Sequence, residues 1–72
     1  MTEFKLLSVV ALMEEIPGKG LRRGQVGTIV EDLAPGVYEV EFSDDEGRTY
    51  ASAAVHGSCL LRLYTEPQQH AA

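Results

Sequence analysis

The sequence has a single cysteine, Cys59, and neither tryptophan nor asparagine among its 72 residues. One cysteine excludes an intramolecular disulfide, which small secreted domains usually need. Without asparagine there is no site for N-glycosylation. The apolar run from Leu6 to Met13 is too short to span a bilayer, and only Lys5 precedes it as a basic residue, unlike the start of a signal peptide. We therefore expect a bacterial cytoplasmic protein without a membrane segment.

Basic residues are also few. The six Lys and Arg are outnumbered by eleven Asp and Glu, which gives a net charge of −5. Duplex DNA and anionic membranes repel such a surface unless its basic residues are segregated. A chain of this length forms one domain with a small core, so a large enclosed active site is not expected within one copy.

Short β-rich segments separated by turns run through most of the chain. The clearest is 37–43, in which Tyr38, Val40 and Phe42 share one face and polar residues the other. In the β-rich segment 26–33, Gly27 lies where a bulge or a close approach of another backbone would need a glycine. The predicted strands are 5–12, 26–33, 37–43, 48–55 and 59–63, with a helix as the alternative for 5–12.

Five short strands, with a 3₁₀ turn at 56–58 before the last, predict an all-β fold, a five-stranded SH3-like small barrel. The barrel is expected to occupy residues 1–64, and 65–72 form a mobile tail because they lack apolar periodicity. The expected core residues are Val10, Leu12, Ile29, Tyr38, Val40 and Phe42.

Two resemblances support this fold. The segment LRRGQVGTIV, residues 21–30, looks like the glycine-bearing strand entry of KOW-type domains. Residues 4–63 are similar to a family of small uncharacterised bacterial proteins found on mobile gene cassettes, through FKLLSVVAL, IPGKGLRRGQVGTIVE, PGVYEVEFSDDEGRTYA and LLRL. The second resemblance implies an SH3-like barrel but no activity, cofactor or functional residue.

Few residues suggest chemistry. Gly20 follows Lys19 where a phosphate-binding loop needs Ser or Thr, and a strand rather than a helix follows the loop. His56 and Cys59 offer two of the four ligands that a structural zinc needs. As a nucleophilic pair they would need a pocket and an activated thiolate. We therefore predict no catalytic, cofactor-binding or metal site.

Two charged segments could bind a partner. The loop before the second strand carries Lys19, Arg22 and Arg23, without aromatic residues for base stacking. The polar side of 37–43 and the following turn are acidic; the candidates there are Glu39, Glu41, Asp44 and Asp45. Because loops on a rigid barrel commonly bind partners, both segments are candidate recognition elements.

Apolar residues exceed what one small core can bury. The first strand is apolar on both faces, and alanines lie on both faces of the fourth. Outward apolar surface usually marks an interface. The candidates for self-association are Leu7, Val9, Ala51 and Ala53.

These patterns favour a non-enzymatic protein- or peptide-interaction module that self-associates. One alternative is a KOW-like RNA-binding or ribosome-associated module. The other is a small accessory subunit or enzyme with a site at a subunit interface, which a perturbed titratable residue between chains would indicate.

Overall fold

A computed structural model describes residues 4–68 as one antiparallel sheet of five strands in the order β4-β3-β2-β1-β5. The strands are β1 Val9–Leu12, β2 Val26–Ala34, β3 Val37–Ser43, β4 Thr49–His56 and β5 Leu60–Arg62. Two 3₁₀ turns, Pro17–Lys19 and Gly57–Cys59, precede β2 and β5. The prediction of an all-β domain with five strands is confirmed.

The first strand is shorter than the sequence predicted. Residues 6 and 7 form a turn, and β1 begins only at Val9, so the alternative of a helix over 5–12 is wrong. Leu7 has φ +70°, which breaks the extended conformation, while its N–H donates to the carbonyl of Ile29 at 2.7 Å. The chain therefore enters β1 after a leucine whose backbone is in the left-handed region.

One face of the sheet encloses the core. All six residues predicted for the core are buried there. The chain adds five that were not predicted: Phe4, Leu21, Ala53, Val55 and Leu60. Phe4 packs edge-on against Tyr38, with ring centroids 5.5 Å apart, and its N–H donates to the Tyr38 hydroxyl at 3.2 Å. Side chains from the start of the described chain to β5 therefore meet in one cluster.

Strand β2 bends so that it pairs with both neighbours. Its register against β3 shifts between Ile29 and Glu31 and again between Asp32 and Ala34. Each shift leaves one extra residue on β2, and bulges of this kind bend and twist a strand. Thr28, before the first shift, lies opposite Val9 of β1 and Glu41 of β3.

The sheet is not closed into a barrel. Among residues 4–68, β4 pairs only with β3, and β5 pairs only with β1. The 3₁₀ turn Gly57–Cys59 connects β4 to β5 directly, yet the two strands lie at opposite ends of the ladder. Strands β4 and β5 are therefore the two edge strands, and within 4–68 each has one edge without a partner strand.

The segment between β1 and β2 folds over the core as a small hairpin. Ile16 and Leu21 exchange backbone hydrogen bonds of 2.8 and 3.3 Å, and the Leu21 side chain is buried. No helix within 4–68 has the length and apolar character needed to cross a membrane. Residues 65–68 belong to no strand, and the rest of the predicted tail, 69–72, lies outside the described residues.

Candidate interaction surfaces

The outer face of β2, β1 and β5 is apolar. The ladder register places Val26, Ala11 and Leu61 in one row across the three strands. In the next row Thr28 lies opposite Val9, and Leu63 donates from its N–H to the Val9 carbonyl. We call the set of Val9, Ala11, Val26, Leu61 and Leu63 the apolar face.

Burial across the apolar face is uneven. Ala11 is only 8% exposed although it does not belong to the core cluster. Val26 and Leu61, on either side of it, are 46% and 53% exposed. The larger side chains therefore cover the small one and themselves face solvent.

Two more exposed side chains, Leu7 and Tyr64, flank the apolar face. Leu7 is 73% exposed and lines a groove together with Val9, Leu63 and Tyr64. The guanidinium of Arg62 lies 4.8 Å from the centre of the Tyr64 ring. Of the four residues predicted for self-association, Leu7 and Val9 lie together at this surface.

The two predicted alanines lie on the other side of the sheet. Ala53 is buried in the core opposite Val40, and Ala51 is half-buried against the same cluster opposite Phe42. They point inward because they pair with the inward residues of β3, so Ala53 is not exposed and Ala51 is exposed only in part. The alanine of β4 that faces outward is Ala54.

The basic residues lie at the exposed loop before β2. Lys19 donates from Nζ to the carbonyl of Ser52 on β4 at 3.1 Å. Arg22 and Arg23 share a shallow groove with Glu14 and Glu15. None of these four makes an ion pair within 4.0 Å among residues 4–68.

An aromatic residue that the sequence analysis missed lies beside this loop. Gln25 accepts from the Arg22 N–H and donates from Nε2 to the Tyr50 hydroxyl at 2.9 Å. Tyr50 is exposed and 25 residues away in the chain, so only the fold brings it here. A glutamine before a predicted strand gives no signal of such a contact.

The acidic residues divide between a strand face and a turn. Glu39 lies directly opposite Glu31, a like-charge pair that is unfavourable at close range. Glu41, further along β3, accepts from the Thr49 hydroxyl at 3.2 Å. The outer face of this half of the sheet is therefore polar and acidic where the other half is apolar.

The turn after β3 uses Asp44 structurally. Its carboxylate accepts from the backbone N–H groups of Glu46 and Arg48 at 2.9 and 3.0 Å, and from Arg48 Nε at 3.2 Å. The backbone hydrogen bond from Arg48 is the main reason that the pKa of Asp44 is lowered. Asp45, next to it, is exposed. Asp45 is therefore the residue of this turn whose carboxylate could contact a partner, whereas the Asp44 carboxylate is already engaged in hydrogen bonds within the turn.

A small groove lies beside the free edge of β4. Its volume is about 160 Å³, and it contains both His56 and Cys59. The other lining residues are Leu12, Glu14, Glu15, Ile16, Ala54 and Val55. Within 4–68, no three His, Cys, Asp or Glu side chains are arranged to hold a metal ion.

Comparison with known proteins identifies a sequence family and nothing further. No curated protein and no solved structure matches the chain. The family match covers residues 6–61, from the turn before β1 into β5. Since this is most of its length, the chain belongs to the family described as Domain of unknown function (DUF4926).

Proposed function

We propose that the protein is a non-enzymatic protein-interaction module of the bacterial cytoplasm that works as a homodimer through the apolar face. The observation that carries this is the exposure of Val26 and Leu61, which lie in one row on either side of Ala11 on an uncharged part of the sheet surface. No segment among residues 4–68 covers them. Apolar surface left open on a small domain marks an interface.

Charge determines which face two copies could share. Two chains of net charge −5 repel one another. Contact through β3 and β4 would bring Glu31, Glu39 and Glu41 of both copies together. Across β2, β1 and β5 the two rows contain no charged residue, and Glu41 borders them only beyond Thr28. This face is where two copies can approach without opposing carboxylates.

The area required is within reach. A stable interface buries about 800 Å² on each partner. The described chain has a total accessible surface of 5458 Å², so an interface of this size would use roughly a seventh of it.

The double variant Val26→Lys, Leu61→Lys tests the dimer. We expect light scattering to report a dimer for the natural chain and a monomer for the variant, because the new charges would face one another. The double variant Ser52→Lys, Ala54→Lys adds the same two charges to exposed positions of β4, at the other end of the ladder, and should remain dimeric. A natural chain that stays monomeric at hundreds of micromolar would contradict the proposal.

A second candidate is single-stranded RNA binding, as in KOW-type domains. One observation favours it: the hydroxyl of the exposed Tyr50 is linked through Gln25 to the backbone N–H of Arg22, in the loop that carries Lys19 and Arg23. Proteins that bind single strands combine basic residues with aromatic rings on which bases stack. Fluorescence anisotropy with a single-stranded RNA oligonucleotide tests it. Binding that weakens with salt and is lost in Tyr50→Leu would support RNA, while duplex DNA should not bind in either case.

A further inference from the structure

We infer that the free edge of β4 is a binding site for an extended basic peptide, which would add to the sheet as a sixth strand. Strand addition needs an unpaired row of backbone groups and, next to it, a pocket that accepts side chains. Both occur at this edge. The inference concerns the opposite end of the ladder from β5 and does not depend on the proposed dimer.

The backbone geometry shows which groups are free. Gly57 N–H donates to the Gly36 carbonyl at 2.8 Å, which makes this a hydrogen-bonded pair continuous with the β3–β4 ladder. Hydrogen-bonded and non-hydrogen-bonded pairs alternate along an antiparallel ladder. The N–H and C=O groups of Ser52, Ala54 and His56 therefore point away from β3.

A contact at the far end of this row agrees with the alternation. The carbonyl of Ser52 accepts from Lys19 Nζ at 3.1 Å, on the side away from β3. Within 4–68, the backbone groups of Ala54 and His56 have no hydrogen-bond partner on that side. An incoming strand can pair with these two residues without displacing any bond of the domain.

The groove beside the edge provides the second requirement. Its interior is formed by the buried Leu12 and Val55 and the half-buried Ile16, with Cys59 among the lining residues. Its volume of about 160 Å³ has room for one aliphatic or aromatic side chain. One residue of an added strand could occupy it while its neighbours face solvent.

Charge decides which peptide fits. Glu14 and Glu15 line the groove, and the whole chain carries −5. Arg22 and Arg23 lie near these carboxylates but form no ion pair with them. A second copy at this edge would bring two pairs of glutamates together, whereas lysine or arginine side chains would complement them.

The test uses a short synthetic peptide of alternating valine and lysine, capped at both ends, with isotope-labelled natural chain. We expect amide shifts centred on Ala54 and His56, and slower hydrogen exchange at these two amides when the peptide is bound. Ala54→Pro, which removes a donor that bonds nothing in the domain, should bind about tenfold more weakly. Ala54→Val keeps that donor and should bind as the natural chain does.

Two further comparisons test the chemistry. A peptide of alternating valine and glutamate should not bind, and Lys19→Met should bind the lysine peptide more tightly because it frees Ser52 and removes a like charge. Any one of three results would overturn the inference: no binding of the lysine peptide, equal binding by Ala54→Pro and Ala54→Val, or equal binding of the two peptides. Protection of Ala54 and His56 without peptide would overturn it in favour of a second copy.

Discussion

Gly27 of β2 lies so close to Glu41 of β3 that a β-carbon on the glycine would be 2.8 Å from the glutamate carbonyl oxygen. The same β-carbon would be 2.7 Å from a methyl group of Val40. Backbone dihedrals do not require glycine here, since its φ is not in the left-handed region. The requirement is the space between two paired strands at the centre of the sheet.

Gly27→Ala should therefore be strongly destabilising. The added methyl group must displace backbone as well as side chain, and overpacking of this kind costs about 1–3 kcal/mol. Urea unfolding of both proteins would measure the loss. Gly18→Ala is the matched control because a β-carbon there meets no atom within 4 Å, and its free energy of unfolding should barely change.

Phe42→Ala should lower the free energy of unfolding by about 3–5 kcal/mol, since it removes a fully buried aromatic side chain and leaves a cavity. Thermal or urea denaturation followed by circular dichroism would measure it. Leu33→Ala removes a side chain at the second β2 bulge that is exposed, so it should change stability by less than about 0.5 kcal/mol. Equal losses in the two variants would contradict the described core.

Leu7→Gly should separate folding from association. Leu7 is the one non-glycine residue of the described chain with positive φ, a conformation that costs a leucine about 1–2 kcal/mol and a glycine little. We expect the variant monomer to be as stable as the natural chain or more stable, and its dimer to be weaker. Leu6→Gly, nearby and also exposed, should lower stability because φ is not positive there.

Ser8→Ala should stabilise the domain. The Ser8 hydroxyl is buried and has no hydrogen-bond partner among residues 4–68. An unsatisfied buried polar group costs about 1–3 kcal/mol, so removing it should raise the free energy of unfolding by about 1 kcal/mol. Ser58→Ala, at an exposed serine, provides the control. A less stable Ser8→Ala variant would mean that the hydroxyl is satisfied in solution.

The pKa of Asp44 should lie below its ordinary value of 3.8, chiefly because the Arg48 backbone N–H stabilises the charged carboxylate. A carboxyl whose folded pKa is lowered contributes stability above its unfolded pKa and loses it as pH falls through the folded one. Asp44→Asn should thus be less stable than the natural chain at neutral pH, and the difference should shrink at pH values below 3.8. Asp45→Asn should show no such convergence.

The sequence predicts the middle of this fold well, and for a simple reason. Residues 37–43 alternate strictly, and with period two one buried residue determines the side of all the others. Phe42, Val40 and Tyr38 are buried as that pattern requires. Strand β3 and its buried side can therefore be predicted without knowing which strands pair with it.

The fourth strand shows where such prediction stops. Residues 51–54 read Ala-Ser-Ala-Ala, and small side chains on both faces do not reveal which face is inward. Only the pairing of Ala53 with Val40 decides it. Contacts between distant segments, such as Gln25 with Tyr50, likewise depend on how the loop before β2 folds over the sheet. Alternation carries no information about either.

The chain enters and leaves the sheet side by side, because the Leu63 N–H bonds to the Val9 carbonyl at 2.8 Å across adjacent strands. Domains whose two ends emerge together can be placed within a surface loop of another protein without stretching the host.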